Sequence, residues 1–255
     1  MFINNFDPVA FNFLFLEIRW YSLSYIFGIL IGWIYCKKFL IKDEELKLKF
    51  DDFISYLILA IIVGGRLGYV FFYNPNYYIQ NFSEIFMIWK GGMSFHGAIL
   101  GILVANFYYT KKHNMNFFSY LDYISMVAPI GLFLGRISNF INSELYGRKT
   151  DFFLSTIFLK VDEFERHPSQ LYEAVFEGIV LFIILNFIFK KYVYIKGRIS
   201  SLFLIFYSTF RFFIEFTREP DSQIGYLFFN MSMGQILCLI FFSIGLTIFY
   251  SRDEK

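Results

Sequence analysis

Residues 52–73 read DFISYLILAIIVGGRLGYVFFY, an almost uninterrupted apolar run that decides the fold class of this chain. A helix of about 20 mostly apolar residues crosses the hydrocarbon core of a bilayer, so this run is long enough to span a membrane. Comparable runs recur along the chain, and the sequence therefore predicts about seven transmembrane helices. The predicted spans are, roughly, 20–39, 52–73, 93–110, 117–136, 170–189, 199–217 and 233–250.

The composition agrees with a membrane protein. Of the 255 residues, 57% are hydrophobic and 17% are charged, whereas a soluble domain is about 45–50% apolar and about 25% charged. The predicted fold class is all-α, a polytopic membrane helix bundle that forms one integral membrane domain over residues 1–255. The net charge of +2 gives no reason to expect a nucleic-acid partner. Cys36 and Cys238 lie in apolar runs without C-x-x-C spacing, so we expect buried thiols rather than metal ligands.

Basic clusters orient the predicted spans. The clearest clusters follow spans one, three and five, and all of them fall on the same side of the membrane. They include Lys37 and Lys38, Lys111 and Lys112, and Lys190 and Lys191. Cytoplasmic loops carry an excess of Lys and Arg, so the N-terminus is predicted outside and the C-terminus in the cytoplasm.

Two outer segments stand out by their length. Residues 74–92 contain Tyr77 and Trp89 and are predicted to form an interfacial outer arm. Residues 137–169 carry mixed charge and are too long for a tight connection. They are predicted to form a small extracytoplasmic cap.

Ionisable side chains within membrane spans are costly, so they are candidates for function. Arg66 lies beside Gly64, Gly65 and Gly68, and it could either structure a close helix contact or bind a lipid headgroup. His96 follows two glycines at the start of the third span. It could be a hydrogen-bonded packing residue or a general base.

The richest polar segment is GRISNFINSELYG at residues 135–147. If the helix continues past Arg136, then Asn139 and Asn142 share a face with it. The sixth span carries a second polar stripe, in which Arg211 and Glu215 are spaced to pair. Tyr207 and Arg218 complete that stripe. Because an arginine binds phosphate through two N–H groups at once, Arg136 and Arg211 predict a phosphate-binding cleft.

Residues 135–147 resemble the signature of the bacterial prolipoprotein diacylglyceryl transferases. Six further segments also resemble that family, and they occur in the order in which the family has them. They are RWYSL at 19–23, GGRLGY at 64–69, GGMSFHG at 91–97, RHPSQLYE at 166–173, FRFFIEFTREPD at 210–221 and SMGQ at 232–235. Two departures stand beside them. Arg19 occupies a position where relatives often have His, and the segment between Gly147 and Arg166 is short.

The resemblance implies an inner-membrane enzyme with seven spans and an outward-facing site. Its reaction would move the diacylglyceryl group of phosphatidylglycerol onto the lipobox cysteine thiol of a prolipoprotein signal peptide, releasing glycerol 1-phosphate. It implies no metal and no soluble cofactor. The residues expected to act in catalysis are His96, Arg136, Tyr207 and Arg211. Those expected to bind substrate are Tyr21, Arg66, Arg136, Asn139, Glu144, Gly147 and Glu215.

Two other classes of protein could also bury arginines in a membrane. A transporter or lipid flippase would have a central polar cavity, but such proteins commonly show paired, broken helices in two halves. The sequence shows no such internal symmetry. A structural scaffold would leave the polar stripe of the sixth span unexplained.

Overall fold

Six helices of the computed structural model are long and apolar enough to cross a membrane. The structure describes residues 1–13, 16–88, 91–220 and 225–252. Within those residues the six candidate spans are Trp20–Leu40, Glu44–Phe72, Phe118–Asn142, Ser169–Tyr192, Arg198–Thr217 and Met233–Ser251. They confirm a multi-pass helical membrane protein. Two residues of the predicted outer arm, Trp89 and Lys90, lie outside the described residues. So does Asp221, the last residue of the segment FRFFIEFTREPD.

The helices are α1 (Trp20–Tyr35), continued by a π-helical turn (Cys36–Leu40); α2 (Glu44–Phe72); α3 (Pro75–Gln80), followed by a 3₁₀ turn (Phe82–Phe86); α4 (Phe95–Lys112); α5 (Phe118–Asn142); α6 (Ser169–Glu173), continued by a π-helical segment (Ala174–Val180) into α7 (Leu181–Tyr192); α8 (Arg198–Ile214); and, after a 3₁₀ turn (Phe228–Asn230), α9 (Met233–Ser251). The longest connections between the helices follow α5 and α8.

The third predicted span, 93–110, coincides with α4. This helix has 18 residues, but His96, Asn106 and two C-terminal lysines make it less apolar than the others. It is therefore not among the six candidate spans of the described chain. The count of seven spans stays a prediction.

The all-α prediction omits short β-strands near the N-terminus and in the segment 143–168. The described strands are β1 (Phe2–Asn4), β2 (Val9–Phe13), β3 (Leu16–Arg19), β4 (Thr156–Phe158) and β5 (Glu165–Arg166). β2 and β3 pair with each other in antiparallel fashion. β4 lies between β1, to which it is parallel, and β5, to which it is antiparallel. The start of the chain is thereby joined to residues more than half the chain away.

The chain forms two compact units. The first contains Met1–Cys36 and Asp122–Lys255, and the second contains Lys37–Leu121.

Within the second unit, α2 and α4 are in backbone contact. A Cβ atom added to Gly68 would lie 2.6 Å from the Cα of Gly97, and one added to Gly64 would lie 3.0 Å from the Cα of Gly101. Only glycine leaves room for this approach, which is a common way to pack membrane helices. The small residues around Arg66 therefore have a packing role.

Within the first unit, Asp122 is a buried carboxylate near the start of α5. Its two oxygens accept hydrogen bonds from the backbone N–H groups of Gly197 (2.7 Å) and Ser200 (2.9 Å). These groups lie at the start of α8, where helical N–H donors have no partner within the helix. Asp122 thus fixes the beginning of α8 against α5.

The contact between α2 and α4 gives the first testable prediction. We expect Gly97→Leu to lower the free energy of unfolding by about 3 kcal/mol, because the inserted side chain forces the two backbones apart. Chemical or thermal unfolding of the purified protein in detergent measures this loss.

The matched control is Gly131→Ala in α5. A Cβ at Gly131 meets no atom within 4 Å, and alanine favours helix over glycine by about 1 kcal/mol. We therefore expect this variant to be neutral or slightly stabilised. Equal stability of the two variants would contradict the glycine contact.

Candidate active site

The C-terminal end of α5 forms a tight turn that carries Glu144. The backbone N–H of Glu144 donates to the carbonyl of Asn139 (2.9 Å), and that of Ser143 donates to the carbonyl of Phe140 (3.1 Å). This pair of hydrogen bonds is the Schellman pattern of helix ends. Ser143 occupies its left-handed position, with φ of 61°. A non-glycine residue there costs about 1–2 kcal/mol, so the turn needs support from its surroundings.

Residues 166–170 supply part of that support. The side chain of Gln170 donates to the carbonyl of Glu144 (2.6 Å), and Ser169 donates to the carbonyl of Leu145 (3.0 Å). Arg166 donates to the carbonyl of Gly147 (3.1 Å). Two sequence segments that the resemblance singled out, 135–147 and 166–173, therefore meet around one turn.

The turn holds the polar side chains that the sequence predicted to lie together. Glu144 accepts hydrogen bonds from the amide groups of Asn139 (3.1 Å) and Asn142 (3.4 Å). The helix continues through Asn142, so Arg136, Asn139 and Asn142 do share one face of α5.

Gly147 lies between two neighbouring stretches of backbone. Its N–H donates to the carbonyl of His167 (3.0 Å), while the N–H of Arg148 donates to the carbonyl of Thr217 (2.9 Å). A Cβ at Gly147 would lie 2.6 Å from the Cβ of His167 and 2.7 Å from the oxygen of Thr217. The absence of a side chain is thus required for packing. Substrate binding by Gly147 stays a prediction.

Arg166 also organises the residues beyond the membrane spans. Its guanidinium makes an ion pair with Asp162 (2.6 Å) and a second one with Glu219 (3.2 Å). The hydrogen bonds from Arg166 hold the pKa of the Asp162 carboxyl below its usual range. The short segment between Gly147 and Arg166 therefore has internal order.

The two arginines that the sequence predicts to bind phosphate lie in a buried cluster of charged side chains. Arg136 contacts Glu173 (Nε to Oε2, 3.0 Å) and Glu177 (Nη2 to Oε2, 3.4 Å). Arg211 forms ion pairs with the same Glu173 and with Glu215 (Nη2 to Oε2, 2.6 Å). Both Glu173 and Glu177 are fully buried. The predicted pairing of Arg211 with Glu215 is confirmed.

A third arginine completes this cluster. Arg218 lies 3.6 Å from Glu173, between its Nη1 and the Oε1 of the carboxylate. In the described part of the chain, the Arg/Glu cluster consists of Arg136, Arg211, Arg218, Glu173, Glu177 and Glu215. It is electrically neutral when all six groups are ionised.

Glu173 and Glu177 were missed by the sequence analysis. Both lie within the fifth predicted span, 170–189, four residues apart in an apolar run. The rule that marked Arg136 and Arg211 as functional candidates applies equally to these carboxylates. Their spacing of i, i+4 also puts them on one helix face, so the sequence did contain the signal.

The start of α9 braces Glu215. Ser232 donates to Oε1 of Glu215 (2.9 Å) and also caps α9 together with Gln235. A Cβ at Gly234 would lie 2.6 Å from the same carboxylate oxygen, so glycine is needed there. The positive end of a helix dipole stabilises a nearby carboxylate. This contact explains the SMGQ segment at 232–235.

Two predicted tyrosines lie in the first unit with the cluster. Tyr207 of α8 lies beside Arg136. The hydroxyl of Tyr21 lies 3.3 Å from that of Tyr25, and the backbone of the preceding Trp20 accepts a hydrogen bond from Ser138 (3.1 Å). The start of α1 is therefore fixed to the C-terminal half of α5.

Arg66 and His96 belong to the second unit. The guanidinium of Arg66 donates to the backbone carbonyls of Glu84 (2.6 Å), Ile85 (2.8 Å), Gly91 and Gly92 (3.1 Å). These contacts give Arg66 a clear role in holding the segment 74–92, which favours the structural alternative over headgroup binding. His96 is exposed near the start of α4, which Ser94 caps.

Comparison with known proteins identifies the family. The family model described as prolipoprotein diacylglyceryl transferase matches residues 8–251. The chain is 49% identical to the phosphatidylglycerol–prolipoprotein diacylglyceryl transferase of Rickettsia bellii over 253 residues, covering 98% of this chain and 96% of that protein. It is 51% identical to the enzyme of the same name from Rickettsia typhi over 241 residues, covering 93% of each. The chain belongs to the prolipoprotein diacylglyceryl transferase family. The resemblance noted in the sequence is thus confirmed.

In this member of the family, the matched segments of the first unit contribute to one cluster of contacts. Residues 135–147 supply an arginine and the turn, and residues 166–173 supply the turn's support and Glu173. Residues 210–218 supply the remaining arginines and Glu215, which residues 232–235 brace. The family segments of the first unit are therefore connected by contacts as well as by order in the sequence.

The fully buried position of Glu173 gives the second prediction. We expect Glu173→Gln to lower the free energy of unfolding by about 3–5 kcal/mol, because it leaves buried arginines without their shared carboxylate. Unfolding of the purified transferase in detergent measures the change.

The control is Glu45→Gln, which breaks the pair between Glu45 and Lys49 (2.6 Å) on the exposed surface of α2. Exposed pairs contribute about 0–1 kcal/mol, so this variant should unfold almost like the wild type. If Glu173→Gln were as stable as Glu45→Gln, the cluster would not be a major source of stability.

Proposed function

We propose that this chain transfers the diacylglyceryl group of phosphatidylglycerol to the lipobox cysteine of prolipoproteins, in the bacterial inner membrane. The observation that carries the proposal is the buried Arg/Glu cluster, formed by segments that match the family. The names of the relatives identify phosphatidylglycerol and a prolipoprotein as their substrates. The first step in lipoprotein maturation would follow from this reaction.

The reaction requires one carbon–sulfur bond to form as one carbon–oxygen bond breaks. The cysteine thiolate attacks the glyceryl carbon that carries the phosphate ester, and a thioether results. Glycerol 1-phosphate leaves with the electron pair of the broken bond, and the thiol proton passes to a base. Because a free cysteine has a pKa of about 8.5, the enzyme must also favour its thiolate form.

Arg136 and Arg211 are our candidates for stabilising the leaving phosphate. The phosphate gains negative charge as the carbon–oxygen bond breaks, and donors in a site that excludes water stabilise such charge strongly. Support comes from the common partner of the two guanidiniums, since both contact the carboxylate of Glu173. Two phosphate oxygens could take the place of these two carboxylate oxygens.

The neighbouring polar groups would orient the headgroup or the arginines. Asn139 and Glu144 form a hydrogen-bonded pair that suits the glycerol hydroxyls of phosphatidylglycerol. Tyr21, Tyr207 and Glu215 belong to the same proposed site. Gly147 and Arg66 would contribute through the backbone that they keep in place. No metal and no soluble cofactor is part of the proposal.

The proposed topology follows the charge pattern of the sequence. It has seven spans, including α4, with the N-terminus outside and the C-terminus in the cytoplasm. Residues 74–92 would form the outer arm and residues 137–169 the extracytoplasmic cap of a single membrane domain over 1–255. Arg136 and Arg211 lie near the C-terminal ends of α5 and α8, which this topology directs outward. Substrate would then enter from surrounding membrane lipid.

The direct test of the activity uses membranes that contain the protein, phosphatidylglycerol and a lipobox peptide. We expect the peptide to gain the mass of a diacylglyceryl group, as measured by mass spectrometry. A flippase or scaffold would leave the peptide mass unchanged.

The arginines give the third prediction. We expect Arg136→Ala and Arg211→Ala each to lower the lipidation rate at least about 100-fold, because each removes a donor to the developing phosphate charge. The rate is measured with purified protein whose folding has been checked by thermal unfolding.

Two further variants distinguish a loss of catalysis from a loss of folding. Arg211→Met combined with Glu215→Leu removes a cation and its carboxylate together, so little buried charge is left unpaired. This protein should fold and still be inactive. Arg19→Ala, which changes an exposed arginine, should keep full activity. Full activity of the Arg136 or Arg211 variants would overturn the phosphate-binding role.

His96 gives the fourth prediction, because a histidine can act as general base near neutral pH. We expect His96→Gln to lower the rate and to flatten its rise with pH, because the base that accepts the thiol proton is removed. Rates measured against pH provide the readout, and His113→Gln is the histidine control. A near-normal rate with an unchanged pH profile would exclude His96 as the base.

A further inference from the structure

Asn4 is a fully buried polar residue in the N-terminal strand. Its neighbours Ile3 and Asn5 are exposed, so β1 turns this one side chain inward. The residue precedes the part of the chain that matches the family model, which begins at residue 8. It also lies outside the seven sequence segments that resemble the family.

The side-chain amide of Asn4 binds the end of α5. Its Nδ2 donates to the carbonyl of Phe140 at 2.6 Å. Its Oδ1 accepts from the backbone N–H of Phe6 at 3.3 Å and lies 3.5 Å from the hydroxyl of Ser143. Since a buried amide is costly unless it is hydrogen-bonded, these contacts account for its position.

The carbonyl of Phe140 is part of the turn that carries Glu144. The same oxygen accepts the N–H of Ser143, whose left-handed conformation reverses the chain before Glu144. Asn4 therefore supports this turn on the α5 side, while Gln170 and Ser169 hold it on the other side. One residue before Phe140, Asn139 donates to the side chain of Glu144.

Apolar contacts already attach β1 to the same region. The ring of Phe2 lies 6.0 Å from that of Phe140, and the ring of Phe6 lies 6.4 Å from it. The strand also pairs with β4. Attachment alone would thus not need a polar group, whereas a hydrogen bond to one carbonyl fixes the direction and register of the turn.

We propose that Asn4 is a positioning residue, which holds the turn after α5 so that Asn139 and Glu144 keep the geometry that binds the phosphatidylglycerol headgroup. This inference rests on the proposed function. It assigns to the N-terminal strand a role in the site, through a residue that does not itself contact substrate.

The test compares Asn4→Leu with Asn5→Leu in the full-length protein. We expect Asn4→Leu to raise the KM for phosphatidylglycerol about 10-fold, the equivalent of one lost hydrogen bond. The KM for the lipobox peptide should stay within about two-fold of the wild type, because the proposal assigns this turn to the phosphatidylglycerol headgroup alone. Asn5→Leu changes the exposed neighbour and should leave both values unchanged.

A second pair of measurements distinguishes positioning from general stability. Ser143→Gly relieves the left-handed strain of the turn, so it should restore most of the KM for phosphatidylglycerol in the Asn4→Leu protein. In a double-mutant cycle, Asn4→Leu and Glu144→Gln should also be non-additive in kcat/KM. Asn4→Asp, which lacks the amide donor, provides an independent variant if Asn4→Leu fails to fold.

Three outcomes would contradict either the positioning role of Asn4 or the proposed function. An unchanged KM for phosphatidylglycerol in the Asn4 variants, with active wild type, would overturn the positioning role alone. The positioning role would also be overturned if the effects of Asn4→Leu and Glu144→Gln on kcat/KM simply multiplied in the double variant. A wild-type protein that adds no mass to the peptide would overturn the proposed function, and this inference with it.

Discussion

The buried carboxylate of Glu173 is the contact on which the rest of the first unit depends. It has no exposure to solvent and lies within ion-pair distance of Arg136, Arg211 and Arg218. Isolated charges at such a position would be very costly, so each must be accompanied by its partner. Three spans, α5, α6–α7 and α8, are therefore constrained in register by a single side chain.

Around this contact, each further element limits how the charged groups can move. The start of α9 holds Glu215 through Ser232 and leaves no room for a side chain at Gly234. The turn after α5 is held by Gln170 on one side and by Asn4 on the other. The N-terminal strand β1 thus helps to fix the turn after α5.

The sequence predicted the membrane spans because apolar runs of this length are rare outside membrane helices. It also predicted Arg136, Arg211 and Glu215, since charges in such runs are rare. It did not predict the strands, because segments of two to five residues carry almost no periodic signal. The pairing of Arg136 with Glu173 joins residues on different helices, and spacing along one helix cannot reveal it.

Other predictions named the right residue but left its role open. Arg66 could structure a close helix contact or bind a lipid headgroup, and only the four backbone carbonyls around its guanidinium favour the structural alternative. Gly147 was assigned to substrate by resemblance, yet the neighbouring backbones of His167 and Thr217 give it a steric reason of its own. A family motif identifies which residues matter, and the contacts in the structure show what role each residue has.

The neutrality of the Arg/Glu cluster has a consequence for the proposed reaction. An anionic phosphate cannot simply be added to three arginines and three glutamates, the charges of the cluster in the described chain, without leaving excess negative charge in a buried site. If Arg136 and Arg211 bind the phosphate as proposed, they must exchange part of their contact with Glu173 for it, or a carboxylate must take up a proton. In either case Glu173 would act before substrate binds, because its carboxylate contacts both guanidiniums.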